Sequence, residues 1–248
     1  MTDLAQNLRA VRDRIDAAAR AAGRDPATVA LLAVSKTWPA ADVRALAGLG
    51  QSDFGENRAQ ELVGKAAELA DLPVRWHFIG QLQRNKAAAV ARLGAVVHSV
   101  DRTSLAQALS RAGEAAERAV EVFLQVDLGG PEGELGARGG VDPAELPALA
   151  DAVAGLPGIR LRGLMAVAPR GADPRPAFDR AGELAARLRA DHPEAVEFSA
   201  GMSGDLEEAV AAGATLVRVG TALSGRRPLT SRGDTGVTPV TRASGAPG

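Results

Sequence analysis

A lysine follows the first long apolar run of the sequence, where it could act as an amine nucleophile. The run covers residues 29–34 and continues as SKTWP, in which the lysine is Lys36. Burial disfavours a charged amine, so a lysine at the inner end of a strand should have a lowered pKa and could condense with a carbonyl group. The chain has only three lysines, which leaves few other candidates. The alternative is a lysine that lies on the rim and stays solvated.

Two later stretches have the composition of phosphate-binding turns. The first is SAGMSGD, residues 199–205, in which the glycines permit close backbone approach and Ser203 can cap a following helix and offer a hydroxyl. The second is VRVGTA, which contains the step Gly220-Thr221. Free N–H groups in the first turn of a helix attract anions. Each turn taken alone is also compatible with a simple helix cap.

Eight apolar segments alternate with helical segments and would position these groups. The predicted strands are residues 29–34, 52–55, 74–80, 95–100, 120–126, 159–167, 195–199 and 215–219. The predicted helices are residues 4–22, 40–49, 57–69, 85–93, 104–118, 143–155, 176–190 and 203–212. This order predicts an α/β protein, a single (β/α)8 TIM barrel with an extra N-terminal helix. An open doubly wound sheet is disfavoured because no G-x-G-x-x-G fingerprint follows the first strand.

In such a barrel, functional residues lie at the C-terminal ends of the strands, and the loops after strands seven and eight commonly hold phosphate. A lysine opposite a phosphate site suits a Schiff-base aldolase acting on a sugar phosphate, or pyridoxal 5′-phosphate (PLP), an aldehyde with its own phosphate. Of these two, Arg218 favours PLP, because it could face the pyridine nitrogen of the cofactor. An arginine in that position does not readily give up a proton to the ring. The ring would then stay unprotonated and be a poor electron sink. The alternative for Arg218 is an ion pair at the bottom or rim of the barrel.

Composition excludes several classes of protein. The chain has no Cys and no Tyr, which removes thiol nucleophiles, disulfides, cysteine metal clusters and any tyrosine acid or base. A formal net charge of -1 provides no electrostatic footprint for nucleic acid or an anionic membrane. No secretory signal is recognisable and no apolar run reaches the length of a membrane span. We therefore expect a cytoplasmic protein that binds neither nucleic acid nor membrane, and we predict no metal site.

Five motifs in order resemble those of the pyridoxal phosphate homeostasis protein family. They are LLAVSKTWP (31–39), DFGENRAQE (53–61), WHFIGQLQRNK (76–86), RGLM (162–165) and GMSGDLEEAVAAGATLVRVGTALSG (201–225). The resemblance runs from about residue 4 to residue 225. It implies a barrel similar to the N-terminal barrel of alanine racemase, without the racemase's second domain. Residues 226–248 have no recognised counterpart, and their Gly, Pro, Ser and Thr content predicts a disordered tail.

The resemblance implies a role for eight residues. Lys36 matches the lysine that forms the internal aldimine with PLP, and Asn57 matches a residue near the ring substituents. Arg218 matches the arginine that faces the pyridine nitrogen. The phosphate-binding positions are Gly201, Met202, Ser203, Gly220 and Thr221.

Three further positions have no assigned role. His77 and Lys86 lie in a shared motif, and we interpret them as a hydrogen-bonded histidine at a strand end and a surface lysine of a helix. Arg138, in the Gly-rich loop of residues 129–142, stands where many relatives carry lysine.

The missing tyrosine bears on activity. Alanine racemase moves the substrate α-proton with two bases, the cofactor lysine and a tyrosine from its second domain, and this chain has neither that domain nor any Tyr. We therefore expect a PLP-binding protein that holds the aldehyde as a lysine Schiff base and supplies it to apo forms of PLP-dependent enzymes, as a monomer and without robust turnover. The alternative is a PLP-dependent enzyme such as a weak amino-acid racemase.

Overall fold

The computed structural model describes residues 3–129 and 139–224 and contains a closed barrel of eight parallel strands in sequence order. The strands are β1 (Ala30–Val34), β2 (Asp53–Glu56), β3 (Arg75–Phe78), β4 (Val96–Val100), β5 (Val120–Gln125), β6 (Ile159–Met165), β7 (Glu197–Ser199) and β8 (Leu216–Val219). The barrel closes through pairing of β8 with β1, from Ala30 opposite Leu216 to Ala33 opposite Val219. The predicted TIM barrel is confirmed.

The helices are α1 (Leu4–Ala21), α2 (Ala40–Gly48), α3 (Ala59–Glu68), α4 (Ala87–Arg92), α5 (Thr103–Ala115), α6 (Leu146–Ala154), α7 (Pro174–Asp191), α8 (Leu206–Ala211) and α9 (Thr221–Ser224). Two 3-10 turns, Pro26–Thr28 and Arg84–Lys86, precede β1 and α4. In the described part of the chain, no helix combines the length and the apolar character that crossing a membrane requires.

The extra N-terminal helix packs beside the last two loops of the barrel. Its buried side chains recur every three or four residues, which is the period of one helix face: Leu8, Val11, Ile15, Ala18 and Ala19. The polar face of α1 contacts α9, which follows β8: Asn7 donates to the Leu223 carbonyl oxygen at 2.8 Å. Arg14 forms an ion pair with Glu207 of α8 and donates to the Ser203 carbonyl oxygen at 2.7 Å. The helix therefore braces the loops that follow β7 and β8.

The apolar core has two parts because the side chains of each strand alternate between the helices and the barrel interior. The larger part lies between the strands and the surrounding helices. The smaller part lies inside the barrel and contains Leu32, Val96, Phe123, Met165 and Leu216. This interior cluster is small because buried polar side chains share the space, as described below.

The predicted and observed elements differ mainly at the C-terminal ends of the strands. Helix α8 begins three residues later than predicted, because a turn closes before it: the Asp205 carboxylate accepts from Met202 N at 2.6 Å. Helix α3 begins after Asn57, which lies in a bend. The short α9 was not predicted. Residues 226–248 and 130–138, including Arg138, lie outside the described residues.

Candidate functional site

Lys36 lies in the turn that follows β1, at the C-terminal end of the barrel. The strand ends at Val34, and the chain turns through a hydrogen bond from Trp38 N to the Ser35 carbonyl oxygen at 3.0 Å. The Lys36 side chain is exposed. Of the two interpretations from sequence, a lysine buried inside the strand end and a solvated lysine on the rim, the structure agrees with the second, because the residue lies beyond the strand.

The backbone on both sides of Lys36 is held by side chains of α3. On one side, Lys65 Nζ donates to the Ser35 carbonyl oxygen at 2.6 Å. On the other side, Thr37 N donates to Glu61 Oε1 at 2.6 Å. Lys65 also forms ion pairs with Glu61 at 2.8 Å and with the fully buried Glu56 at 2.7 Å, and Ser35 Oγ donates to Glu56 Oε1 at 2.6 Å. We call this group the α3 clamp: Ser35, Thr37, Glu56, Glu61 and Lys65.

The α3 clamp holds a strained backbone. Thr37 has φ of 65°, in the left-handed region, which costs a β-branched residue about 1–2 kcal/mol. Such a conformation persists only where surrounding contacts determine it, and those contacts are the hydrogen bonds of the clamp. Burial raises the pKa of Glu56, although the hydrogen bonds from Lys65 and Ser35 act in the opposite direction. Sequence reasoning missed the clamp; the lysine four residues after Glu61 was its only signal.

The loop after β7 contains the predicted turn, with one correction. Gly201 has φ of 87°, and a Cβ atom there would lie 2.7 Å from Ala209 Cβ, so the position requires glycine. Its carbonyl oxygen accepts from Arg218 N at 2.9 Å, which ties the loop to β8. Ser203 does not cap the helix as predicted: the N-cap residue of α8 is Asp205. Ser203 is half-buried and Met202 is exposed.

The Gly-Thr step lies directly beside the Lys36 turn. A Cβ atom at Gly220 would lie 3.1 Å from the Val34 carbonyl oxygen, so the two strand ends approach closely here. Thr221 is exposed and begins α9. Asn57 follows β2 on the other side of β1, half-buried, and its carbonyl oxygen approaches Gly80 so closely that a Cβ atom there would collide with it. Apart from Arg218, which lies within β8, the predicted residues thus follow four adjacent strands, in the order β7, β8, β1 and β2.

Arg218 projects into the barrel. Its Nη1 donates to Ser199 Oγ at 2.7 Å and its Nη2 donates to the Ala166 carbonyl oxygen at 2.9 Å. Burial lowers the pKa of Arg218 to about 10, so the guanidinium stays charged at neutral pH. The alternative of an ion pair is wrong for the part of the chain described here, in which no carboxylate lies within ion-pair distance of this arginine.

Two histidines share the barrel interior with Arg218. His77 Nε2 lies 2.9 Å from Asp53 Oδ1, and His77 Nδ1 lies 2.9 Å from His98 Nε2. His77 is thus a buried, hydrogen-bonded residue, in agreement with the interpretation from sequence. His98 was not singled out in the sequence, because a histidine in an apolar run carries no signal of its contacts. Lys86 is half-buried and lies in the 3-10 turn before α4 instead of on a helix.

Comparison with known proteins identifies relatives of this barrel. The family described as "Alanine racemase, N-terminal domain" matches residues 6–228. The pyridoxal phosphate homeostasis protein of Pseudomonas aeruginosa is 51% identical over 233 residues, which cover 92% of this chain and 97% of that protein. The protein of the same name from Escherichia coli K12 is 41% identical over 238 residues, 94% of this chain and 100% of that protein.

Solved structures of related proteins have the same barrel fold. PipY of Synechococcus elongatus PCC7942, in a structure with PLP bound, has a TM-score of 0.75 and 39% identity over 90% of this chain and 100% of its own. Alanine racemase of Streptomyces coelicolor has a TM-score of 0.68, with 22% identity over 90% of this chain and 59% of that one, which shows a shared fold alone. From these identities and coverages, the chain belongs to the pyridoxal phosphate homeostasis protein family, built on the fold of the alanine racemase N-terminal domain.

Proposed function

We propose that this protein binds PLP through Lys36 at the C-terminal end of the barrel and acts in PLP homeostasis, supplying the cofactor to apo forms of PLP-dependent enzymes. The observation that carries this is the arrangement of three adjacent strands, β7, β8 and β1, at their C-terminal ends. They bring an exposed amine (Lys36), two glycine-containing loops (Gly201 and Gly220) and a buried guanidinium (Arg218) to one end of the barrel. The names of the relatives and the PLP in the PipY structure support the same function.

The chemistry of the donor set fits PLP. The hydroxyls of Ser203 and Thr221 and the backbone around Gly201 and Gly220 suit a phosphate group, because hydroxyl and N–H donors bind phosphate oxygens. Met202, whose N–H donates to the Asp205 carboxylate, would lie beside that group. Asn57 would lie beside the ring substituents. Arg218 would face the pyridine nitrogen as a hydrogen-bond donor.

PLP, when bound, supplies an aldehyde that condenses with a primary amine. Lys36 offers that amine on a turn whose backbone the α3 clamp holds in place. Because Lys36, Met202 and Thr221 are all exposed, the amine of an incoming acceptor can approach from solvent. An open site of this kind suits a protein that takes up and passes on its cofactor, whereas closing a site to expel water strengthens the electrostatic interactions that serve catalysis.

We further propose that the protein has no robust catalytic turnover. Arg218 keeps its proton at neutral pH and would leave the ring nitrogen unprotonated, which weakens the ring as an electron sink. The chain also has no tyrosine to serve as a second base. The chain is further proposed to act as a monomer in the cytoplasm.

The test is to trap the cofactor on the protein. Purified protein incubated with PLP, reduced with borohydride and digested should carry the reduced cofactor mass on the Lys36 peptide. Lys36→Ala should abolish this label, and the matched variant Lys86→Ala should keep it. A protein that takes up no PLP, or whose label lies elsewhere, would refute the proposed site. Incubation with amino acids in deuterated water separates carrier from enzyme: α-proton exchange at enzyme-like rates that requires Lys36 would overturn the homeostasis function.

A further inference from the structure

A chain of hydrogen-bonded side chains crosses the barrel interior and ends on Arg218. It begins at Asp53, the first residue of β2, and passes through His77 of β3 and His98 of β4 to Ser199, the last residue of β7. The four links measure 2.9 Å (Asp53 Oδ1 to His77 Nε2), 2.9 Å (His77 Nδ1 to His98 Nε2), 3.0 Å (His98 Nδ1 to Ser199 Oγ) and 2.7 Å (Ser199 Oγ to Arg218 Nη1). The chain therefore joins the N-terminal end of the barrel to the arginine near its mouth.

The protonation states of the members are set by their surroundings. Burial lowers the pKa of His77 and, more strongly, that of His98, so both rings are neutral near pH 7. Burial acts to raise the pKa of Asp53, but hydrogen bonds from His77 and Ser52 outweigh it and the net shift is downwards, so the carboxylate is ionised. The charges that face this group are Arg75 and Glu197 near His77 and Arg218 near His98.

With these states, every link has one donor and one acceptor, and the direction of the whole chain is determined. An ionised Asp53 can only accept, so His77 carries its proton on Nε2 and its Nδ1 is an acceptor. His98 must then donate from Nε2 and accept at Nδ1, where the Ser199 hydroxyl donates. The Ser199 oxygen is left to accept from Arg218, which can only donate.

We propose that Asp53, His77, His98 and Ser199 are positioning residues for Arg218: they form a one-directional hydrogen-bond chain that sets the orientation of its guanidinium. Arg218 uses Nη1 on this chain and Nη2 on the Ala166 carbonyl oxygen, and two such bonds fix the plane of the group. The His98 ring is itself held by stacking on Phe123, with centroids 4.3 Å apart. The orientation of Arg218 toward PLP rests on the proposed function, whereas the hydrogen-bond chain does not depend on it.

The first experiment needs no cofactor. Long-range ¹⁵N–¹H NMR of the unloaded wild-type protein should show His77 and His98 each as a single neutral tautomer with the proton on Nε2. The protein has three histidines, so in His192→Gln the remaining histidine signals belong to His77 and His98. Asp53→Leu removes the terminal acceptor and should convert the pair to mixed tautomers. A wild-type pair that is charged, or protonated on Nδ1, would overturn the proposed direction.

The second experiment compares two buried serines. Ser199→Ala removes the acceptor of Arg218, whereas Ser99→Ala removes a buried hydroxyl that has no hydrogen-bond partner in residues 3–129 and 139–224. The NMR signals of the two Nη groups of Arg218 are assigned by their loss in Arg218→Lys. They should be separate in the wild-type protein and should merge in Ser199→Ala, because the guanidinium is then free to rotate. PLP affinity should fall about tenfold, as expected for a lost hydrogen bond to a charged group. Ser99→Ala should change neither measurement.

The outcomes separate the two proposals. If Ser199→Ala leaves the Arg218 signals and PLP affinity unchanged while Lys36 is still labelled, the positioning role fails and the proposed function stands. If the tautomers and Arg218 signals behave as expected but the wild-type protein takes up no PLP, the chain holds Arg218 and the proposed function fails.

Discussion

Replacing Lys65 by methionine should destabilise the protein, because this lysine neutralises Glu56 in the α3 clamp. The Glu56 side chain is 0% exposed and that of Lys65 is 9% exposed, so water cannot take the place of the ammonium. Methionine keeps most of the apolar stem of lysine, which limits the change to the charge and its hydrogen bonds. The residues that lose a partner are Glu56, Glu61 and the Ser35 carbonyl.

The magnitude follows from what Glu56 can do without its cation. Breaking a buried ion pair from one side costs about 3–5 kcal/mol. Glu56 can avoid part of this cost by taking up a proton. Keeping a carboxyl with an ordinary pKa of about 4.3 protonated at pH 7 itself costs about 3.7 kcal/mol. We therefore expect Lys65→Met to lower the free energy of unfolding by about 3 kcal/mol at pH 7.

The loss should depend on pH with a defined sign. A carboxyl whose pKa is raised on folding binds its proton more readily in the folded protein, so stability increases as pH falls through the folded pKa towards the unfolded value. Burial already raises the pKa of Glu56, and loss of Lys65 raises it further. The deficit of Lys65→Met should therefore shrink below pH 7, by up to about 1.4 kcal/mol per pH unit.

Urea denaturation of wild type and Lys65→Met at pH 8, 7 and 5.5 measures this loss. The matched control is Lys86→Met, at the half-buried lysine of the 3-10 turn, which should change stability by less than about 0.5 kcal/mol. The double variant Glu56→Gln/Lys65→Met should recover at least half of the loss, because no charge stays buried. A Lys65→Met deficit below about 1 kcal/mol at pH 7, or one that grows as pH falls, would refute the role of the clamp.

Three further predictions concern the site itself. Lys36→Ala should lose the covalent label but keep measurable PLP affinity through the proposed phosphate-binding loops. Complete loss of binding in equilibrium dialysis would show that those loops are misassigned. Arg218→Glu should lower PLP affinity at least about tenfold, because the shorter side chain loses the hydrogen bonds to Ser199 and the Ala166 carbonyl oxygen that hold residue 218 in place. It should also change the cofactor absorption spectrum, because a carboxyl can pass its proton to the ring nitrogen, whereas arginine does not readily do so. An unchanged spectrum and affinity would contradict the placement of Arg218. Gly201→Ala should destabilise by about 2 kcal/mol or more, because φ is 87° and the new methyl group would meet Ala209, whereas Gly48→Ala in open space on α2 should be neutral or slightly stabilising in thermal denaturation.

The fold could be predicted almost completely from the sequence because its signals are local. Uninterrupted apolar runs of strand length indicate strands covered on both faces, and the three- and four-residue spacing of Leu8, Val11 and Ile15 defines the N-terminal helix. Once eight such units alternate, handedness and closure leave few other topologies. The ends of the strands then follow, and with them the side of the barrel on which Lys36, Gly201 and Gly220 lie.

The contacts at those ends depend on residues that are distant in sequence. Ser35 meets Lys65 across 30 positions and His98 meets Ser199 across 101, and no local pattern encodes either pair. The exposure of Lys36 and the capping of α8 by Asp205 instead of Ser203 likewise depend on where each turn closes. The sequence by itself determined the barrel and the residue types available at its mouth. Only the tertiary structure decided which of them touch, because hydrogen bonds between strands depend on the closed barrel that brings those strands together.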